Sequence, residues 1–149
     1  ALDAWLVIRG IKTLPLRMEQ HQKNAFAIAK WLQEQQRVQY VLYPGLENHP
    51  GYEINKAQTT GFGGMISFAV DNTETARQIL EGIKLIKFAE SLGGTESLIT
   101  YPIRQTHTDL TAEECAEKGI TDCLLRFSTG IEATQDLIDD LAQAFAAVE

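Results

Sequence analysis

Apolar positions recur along this chain with two periods, and each change of period marks a change of element. Leu2, Trp5 and Leu6 stand at helical spacing from the outset, so residues 1–11 read as a helix. Thr13, Leu14 and Pro15 mark a fresh start, because proline is tolerated in a first turn. The next helix carries Met18, Ala25, Ile28, Ala29 and Leu32 as one apolar stripe and ends near Gln36. Residues 38–43 alternate like a short strand before Pro44-Gly45 turns the chain into a polar loop containing Asn48-His49-Pro50-Gly51. The glycines of Gly61-Phe62-Gly63-Gly64 give way to a strand through Met65, Ile66, Phe68 and Val70. Asn72 or Thr73 caps a further helix, whose buried face is Ala76, Ile79, Leu80 and Ile83. Residues 85–89 and 97–101 read as short strands, the second stopped by Pro102. Thr111-Ala112-Glu113-Glu114 has the form of a capping box and opens a short helix that runs to Gly119. Residues 123–128 form a strand. Thr134 begins a last helix with Leu137, Ile138, Leu141, Phe145 and Val148 inward, and Asp136, Asp139 and Asp140 lie early in it, where the helix dipole favours acids. Helices and short strands thus alternate irregularly, without an internal repeat. That order predicts an α+β fold, a small and mainly antiparallel sheet with helices on one face.

Composition narrows the picture. The 149 residues, 44% of them hydrophobic, suffice for one core, so a single compact unit is expected. A net charge of -7 speaks against nucleic acid and anionic membranes as partners, since nothing offsets phosphate repulsion. No leader and no long apolar run can be read, which makes a cytoplasmic protein the expectation, with Cys115 and Cys123 as reduced packing residues. Too few ligands lie near the two thiols for zinc, so no metal is expected. No capping residue precedes Leu2, which sets the expectation that the chain begins inside something larger.

Two segments carry candidate chemistry. In Leu124-Leu125-Arg126-Phe127 a guanidinium interrupts an apolar run, and a charge on a half-buried strand costs several kcal/mol unless an anion or paired acceptors meet it. Its planar fork fits a carboxylate with two parallel bonds. From the residues alone that carboxylate is either a ligand's or an internal one, with Glu132 and Asp122 as candidates. The second segment runs from Phe88 to Leu98, where Gly93-Gly94 allows close backbone approach and Glu90 and Ser91 project from the turn, or the serine simply bonds its own backbone. Gly61-Phe62-Gly63-Gly64 is followed by a strand rather than a helix, so it reads as a turn and not a phosphate cradle. His21, between Gln20 and Gln22, and His49 in its loop read as surface residues, and no Ser/His/Asp order or nucleophile elbow is present.

Ser91-Leu92-Gly93-Gly94-Thr95-Glu96-Ser97-Leu98, Tyr101-Pro102, Gln105-Thr106-His107 and residues 124–132 around Arg126 together resemble the C-terminal domain of the Cys/Met metabolism pyridoxal-phosphate enzymes. That family comprises cystathionine γ-synthase, cystathionine β- and γ-lyases, methionine γ-lyase and the homoserine-ester sulfhydrylases. Asp3-Ala4-Trp5-Leu6, Arg9-Gly10, Lys12-Thr13-Leu14 and Arg17-Met18 resemble the stretch that comes after its cofactor domain. The resemblance implies the C-terminal domain of a fold-type I pyridoxal-phosphate enzyme. Residues 1–36 would be helices joining it to the large cofactor domain, and residues 37–149 the small substrate-binding domain. It further implies that Arg126 binds the substrate α-carboxylate and that Ser91 binds substrate and acts in catalysis beside the cofactor-bearing lysine. Glu90 and Thr106 would line the substrate site, Glu90 at a position that helps set β against γ chemistry.

The implied cofactor is pyridoxal 5'-phosphate, with proton removal by a lysine and carbanion stabilisation by the pyridine ring. Yet none of Lys12, Lys23, Lys30, Lys56, Lys84, Lys87 and Lys118 has the family's Ser-x-Thr-Lys surroundings. The chain is therefore expected to hold no cofactor-binding residue and to be inactive alone, as a fragment of a transsulfuration enzyme of cysteine and methionine metabolism. Its motifs look closest to bacterial cystathionine γ-synthase or O-acetylhomoserine thiolyase, which implies γ-replacement on an activated homoserine ester. The alternatives are cystathionine β- or γ-lyase elimination, or a stand-alone non-catalytic binding domain. Implied partners are an amino-acid substrate, the N-terminal cofactor domain and further copies in a dimer or tetramer. Ile103-Arg104 departs from the small Ala-Thr or Ala-Ser pair common in the family and adds a cation near the cleft.

Overall fold

The computed structural model describes residues 1–148. Its strands are β1 (Val38–Leu42), β2 (Met65–Val70), β3 (Lys87–Phe88), β4 (Leu98–Thr100) and β5 (Leu124–Ser128), joined in one sheet in the order β1-β2-β5-β4-β3. All pairs are antiparallel except β3 and β4 at one edge. The register sorts the side chains onto two faces. Val41 opposes Phe68, Phe68 opposes Leu125, and Phe127 stands between Ile66 and Ile99; all six are buried. Successive residues of a strand point to opposite faces, so the row Leu42, Ser67, Arg126 and Thr100 belongs to the other side. The single charge of β5 is thereby kept out of the core.

The helices are α1 (Leu2–Ile11), α2 (Leu14–Gln33), α3 (Tyr52–Gln58), α4 (Thr73–Gly82), α5 (Ala112–Glu117) and α6 (Thr134–Ala146). Ala25, Ile28, Ala29 and Leu32 of α2, Ala76 and Ile79 of α4, and Leu137, Leu141 and Ala144 of α6 have no exposed surface and form one cluster with the first sheet face. Each fully buried Leu or Ile there contributes about 1.5–3 kcal/mol. The α1 helix differs, for none of its residues is buried. Among the described residues no helix is long and apolar enough to cross a membrane.

Local chemistry explains most boundaries. Asn72 caps α4 by accepting from the Thr75 amide at 2.8 Å, and both halves of the Thr111/Glu114 capping box are formed at α5. Three expectations need correction. The sequence pattern misses α3, because none of its residues is buried and no apolar period marks it. The α2 helix stops at Gln33 rather than Gln36, and turns closed by Gln35 N to Leu32 O and Val38 N to Gln35 O lead into β1. The third strand shrinks from residues 85–89 to Lys87–Phe88, because the amides of Lys84, Leu85 and Ile86 donate instead to the buried Asp140 carboxylate at 2.8–3.0 Å. Asp140 thus serves as a backbone anchor between α6 and β3; it lies mid-helix rather than early, and of the three acids only Asp136 stands in the first turn of α6, where the dipole acts.

Candidate functional site

Arg126 sits mid-strand on the face away from the helices, with Ser67 opposite on β2 and Thr100 opposite on β4. Its Nη2 donates to the Glu90 carbonyl at 2.8 Å and to Thr100 Oγ1 at 3.0 Å. The Thr100 hydroxyl donates in turn to the Ala89 carbonyl at 2.8 Å. Neither internal acid pairs with the guanidinium. Glu132 accepts from the Ser97 amide at 2.6 Å and the Ser97 hydroxyl at 2.8 Å, and Asp122 accepts from the Thr73 hydroxyl at 2.8 Å. Among the described residues no carboxylate forms an ion pair with Arg126, Nη1 makes no hydrogen bond, and Nε is buried without a partner. Such an orphan donor costs about 1–3 kcal/mol and is rare enough to call for an explanation.

The turn after β3 is stitched across this strand. Glu90 is bound through its carbonyl to Arg126, and the Gly93 amide donates to Ser128 Oγ at 2.9 Å. Arg126 and Ser128 lie on the same face of β5, about 6.6 Å apart along the strand. Ser91 is held between the two stitches and is exposed. Gly93 has φ +75°, a conformation side chains resist, and a Cβ on Gly130 would stand 2.4 Å from the Thr95 carbonyl. Glycine is required at both positions for the turn to lie this close.

Behind the strand, α2 fixes the segment that leaves β5. His21 is buried, contrary to the surface position its glutamine neighbours suggest, and its Nδ1 lies 2.5 Å from the Thr129 carbonyl. A carbonyl only accepts, so Nδ1 carries the hydrogen. Asn24 Nδ2 donates to the Gly130 and Glu132 carbonyls at 2.9 and 3.0 Å. The signal for these two residues was present in the sequence: His21, Asn24, Ala25 and Ile28 share one helical stripe, and the polar pair simply extends it.

The fold therefore brings Arg126, Ser91 and the Glu90 backbone together. Thr106 is exposed beyond the 3-10 turn at Pro102–Arg104, its hydroxyl 2.8 Å from His107 Nδ1, and no hydrogen bond among the described residues joins it to Arg126. Nor does a lysine donate to the turn; Lys87 Nζ bonds the Lys84 carbonyl at 2.9 Å. The open guanidinium donors fit a small carboxylate, and among the described residues no lysine stands at the turn to take up the aldehyde of a pyridoxal cofactor.

A compact α+β domain that carries an arginine with open donors under a glycine turn is the class that fold and site define. The chain matches the model of the Cys/Met metabolism PLP-dependent enzymes over residues 1–146, and it belongs to that family. It is 52% identical over 143 residues to cystathionine gamma-lyase of Dictyostelium discoideum, covering 95% of this chain and 37% of that protein. To cystathionine gamma-synthase of Haemophilus influenzae it is 52% identical over 144 residues, covering 97% of this chain and 35% of the other. Its fold is similar to the crystal structure of cystathionine gamma synthase from Xanthomonas oryzae pv. oryzae in complex with aminoacrylate and cysteine, with a TM-score of 0.93 and 44% identity over 97% of this chain and 38% of that one. The chain thus spans well under half the length of these relatives, and its family is dependent on pyridoxal phosphate.

Proposed function

We propose that this chain supplies the substrate α-carboxylate site of a pyridoxal-phosphate-dependent transsulfuration enzyme, with Arg126 as the anion-binding residue. The observation that carries this reading is the guanidinium whose Nη2 is held in place by Glu90 and Thr100 while Nη1 and the buried Nε have no partner among the described residues. A ligand carboxylate completes that set of donors. Ser91, fixed above the strand by its two neighbouring stitches, contacts the substrate and the reacting groups, with Glu90 beside it. Thr106, on the segment after β4, is a further substrate contact that the resemblance implies. The related structure bound to aminoacrylate and cysteine, both α-amino-acid species, supports an amino acid as the ligand class.

None of this chain's lysines has the Ser-x-Thr-Lys surroundings of the family's cofactor lysine, which supports the reading that the 149-residue chain alone neither retains the cofactor nor turns over. A large cofactor domain packed on the uncovered apolar side of α1 supplies the other wall of the cleft, in a cytoplasmic dimer or tetramer. The reaction we favour is γ-replacement on an activated homoserine ester, as in the cystathionine γ-synthases whose Ser91 turn this one resembles. The second reading is elimination from cystathionine, favoured by an equal 52% identity to a γ-lyase.

One set of assays tests both points in the full-length gene product. Arg126→Ala raises KM for the amino acid by roughly 30-fold or more, since loss of a charge-assisted pair costs about 2–5 kcal/mol. Unchanged KM and kcat reject the assignment of Arg126. Cystathionine formed from the ester and cysteine supports γ-replacement, whereas turnover of cystathionine alone replaces it with a lyase.

A further inference from the structure

Thr100 is a residue for which the resemblance implied no role, yet the guanidinium geometry depends on it. Its side chain is 1% exposed, on β4 directly opposite Arg126. A hydroxyl has one hydrogen and two lone pairs. The Ala89 carbonyl can only accept, so it takes that hydrogen, and the guanidinium can only donate, so it takes a lone pair. Both bond directions are therefore fixed by chemistry, and the rotor is locked. Glu90 O accepts the second Nη2 hydrogen, so both donors of that nitrogen are committed to the turn, one directly and one through Thr100.

We propose that Thr100 is a positioning residue for substrate binding: its hydroxyl sets the plane of the Arg126 guanidinium and couples it to the turn that carries Ser91. The inference rests on the reading that Arg126 holds the substrate carboxylate. A free arginine has several rotamers to surrender when it grips a ligand, and a pre-set fork surrenders few. Thr100 performs that setting in a buried position. Losing the hydroxyl leaves the Ala89 carbonyl and one Nη2 hydrogen unpaired and frees the fork to tilt.

The test uses the cofactor-loaded, full-length protein that carries this chain. Thr100→Val preserves shape and removes the hydroxyl; Thr100→Ala takes its place should the valine variant be insoluble. Expected is a rise in KM for the amino-acid substrate of about 10- to 30-fold with kcat changed less than about threefold, the lower part of the range for one hydrogen bond to a charged group. Competitive inhibition by glycine weakens by the same factor while inhibition by glycinamide, which has no carboxylate, does not. Thr100→Ser returns both values to within about twofold of wild type. Adding Thr100→Val to Arg126→Ala changes KM no further, because the effect passes through the guanidinium. A lower melting temperature with KM and the glycine-to-glycinamide preference intact overturns the inference and makes Thr100 a structural residue. If Arg126→Ala raises KM and Thr100→Val does not, only this inference fails; if neither raises it, the carboxylate assignment fails with it.

Discussion

Arg126 and Asp140 pose the same physical problem, a charged group drawn out of water, and resolve it differently. Asp140 is 7% exposed and satisfied by three backbone amides, those of Lys84, Leu85 and Ile86. It closes a structural junction completely. Arg126 is left open at Nη1 and Nε, the opening on which its proposed binding role rests. Replacing the anchor should be costly: Asp140→Ala strands three donors and lowers unfolding free energy by on the order of 3 kcal/mol, with Asp140→Asn less harmful because one acceptor oxygen survives. Urea denaturation measures this, and a loss below about 0.5 kcal/mol for the alanine variant contradicts the anchoring role. Tyr43 gives a second residue-scale expectation. It has no exposed surface, its hydroxyl donates to the Gly63 carbonyl at 2.9 Å, and burial pushes its pKa from 10.0 up to about 12. Between those values the unfolded chain releases the phenolic proton and the folded chain keeps it. The contribution of Tyr43 is thus complete below pH 10 and is lost as pH rises toward about 12. The thermal midpoint of Tyr43→Phe should fall less steeply over that interval than that of the parent chain; equal slopes would contradict the account.

At the scale of elements, the legible part of the fold was whatever a local period or a local cap encodes. The apolar stripes of α2, α4 and α6 face the sheet, and Asn72 and Thr111 cap as their side-chain chemistry dictates. Arg126 stood out for a similar reason, as a charge breaking an apolar run whose alternation puts it off the core face. The features that escaped depend on partners far away in sequence. The α3 helix buries nothing, so its helicity leaves no hydrophobic trace. The short β3 results from a carboxylate on α6, more than fifty residues later, taking the amides that a longer strand would pair. Glu132 looked like a partner for Arg126 six residues away, but alternation along β5 and the turn after it carry Glu132 to Ser97 instead. The stitches at Thr100 and Ser128 require knowing which residue of β4 lies opposite Arg126 and where the glycine turn folds. Neither can be had from spacing alone, because strand register is set by the whole sheet.

For the whole molecule, the distribution of apolar surface is uneven in a way that bears on how the chain holds together. Leu2, Trp5, Leu6, Val7, Ile8 and Ile11 of α1 are each more than half exposed, while α2 packs Ala25, Ile28, Ala29 and Leu32 with no exposed surface. The α1 helix is tied to α2 by helix-end bonds, from the Thr13 hydroxyl and Arg17 Nη2 to the Gly10 carbonyl. A ten-residue helix with so little support is marginal in water by itself, and its apolar side chains favour association. Core stability should therefore be independent of α1. Removing residues 1–12 is expected to change the unfolding free energy of the 149-residue chain by less than about 0.5 kcal/mol, whereas Leu32→Ala removes about 2–5 kcal/mol through the cavity it opens. The same deletion should reduce self-association in sedimentation, since the largest run of exposed apolar side chains goes with it. If the deletion instead costs as much as Leu32→Ala, α1 belongs to the same folding unit as α2, whose buried stripe is part of the core. If stability holds while Arg126 and Thr100 keep their geometry, the sheet face that presents Arg126 is built by the residues after α1.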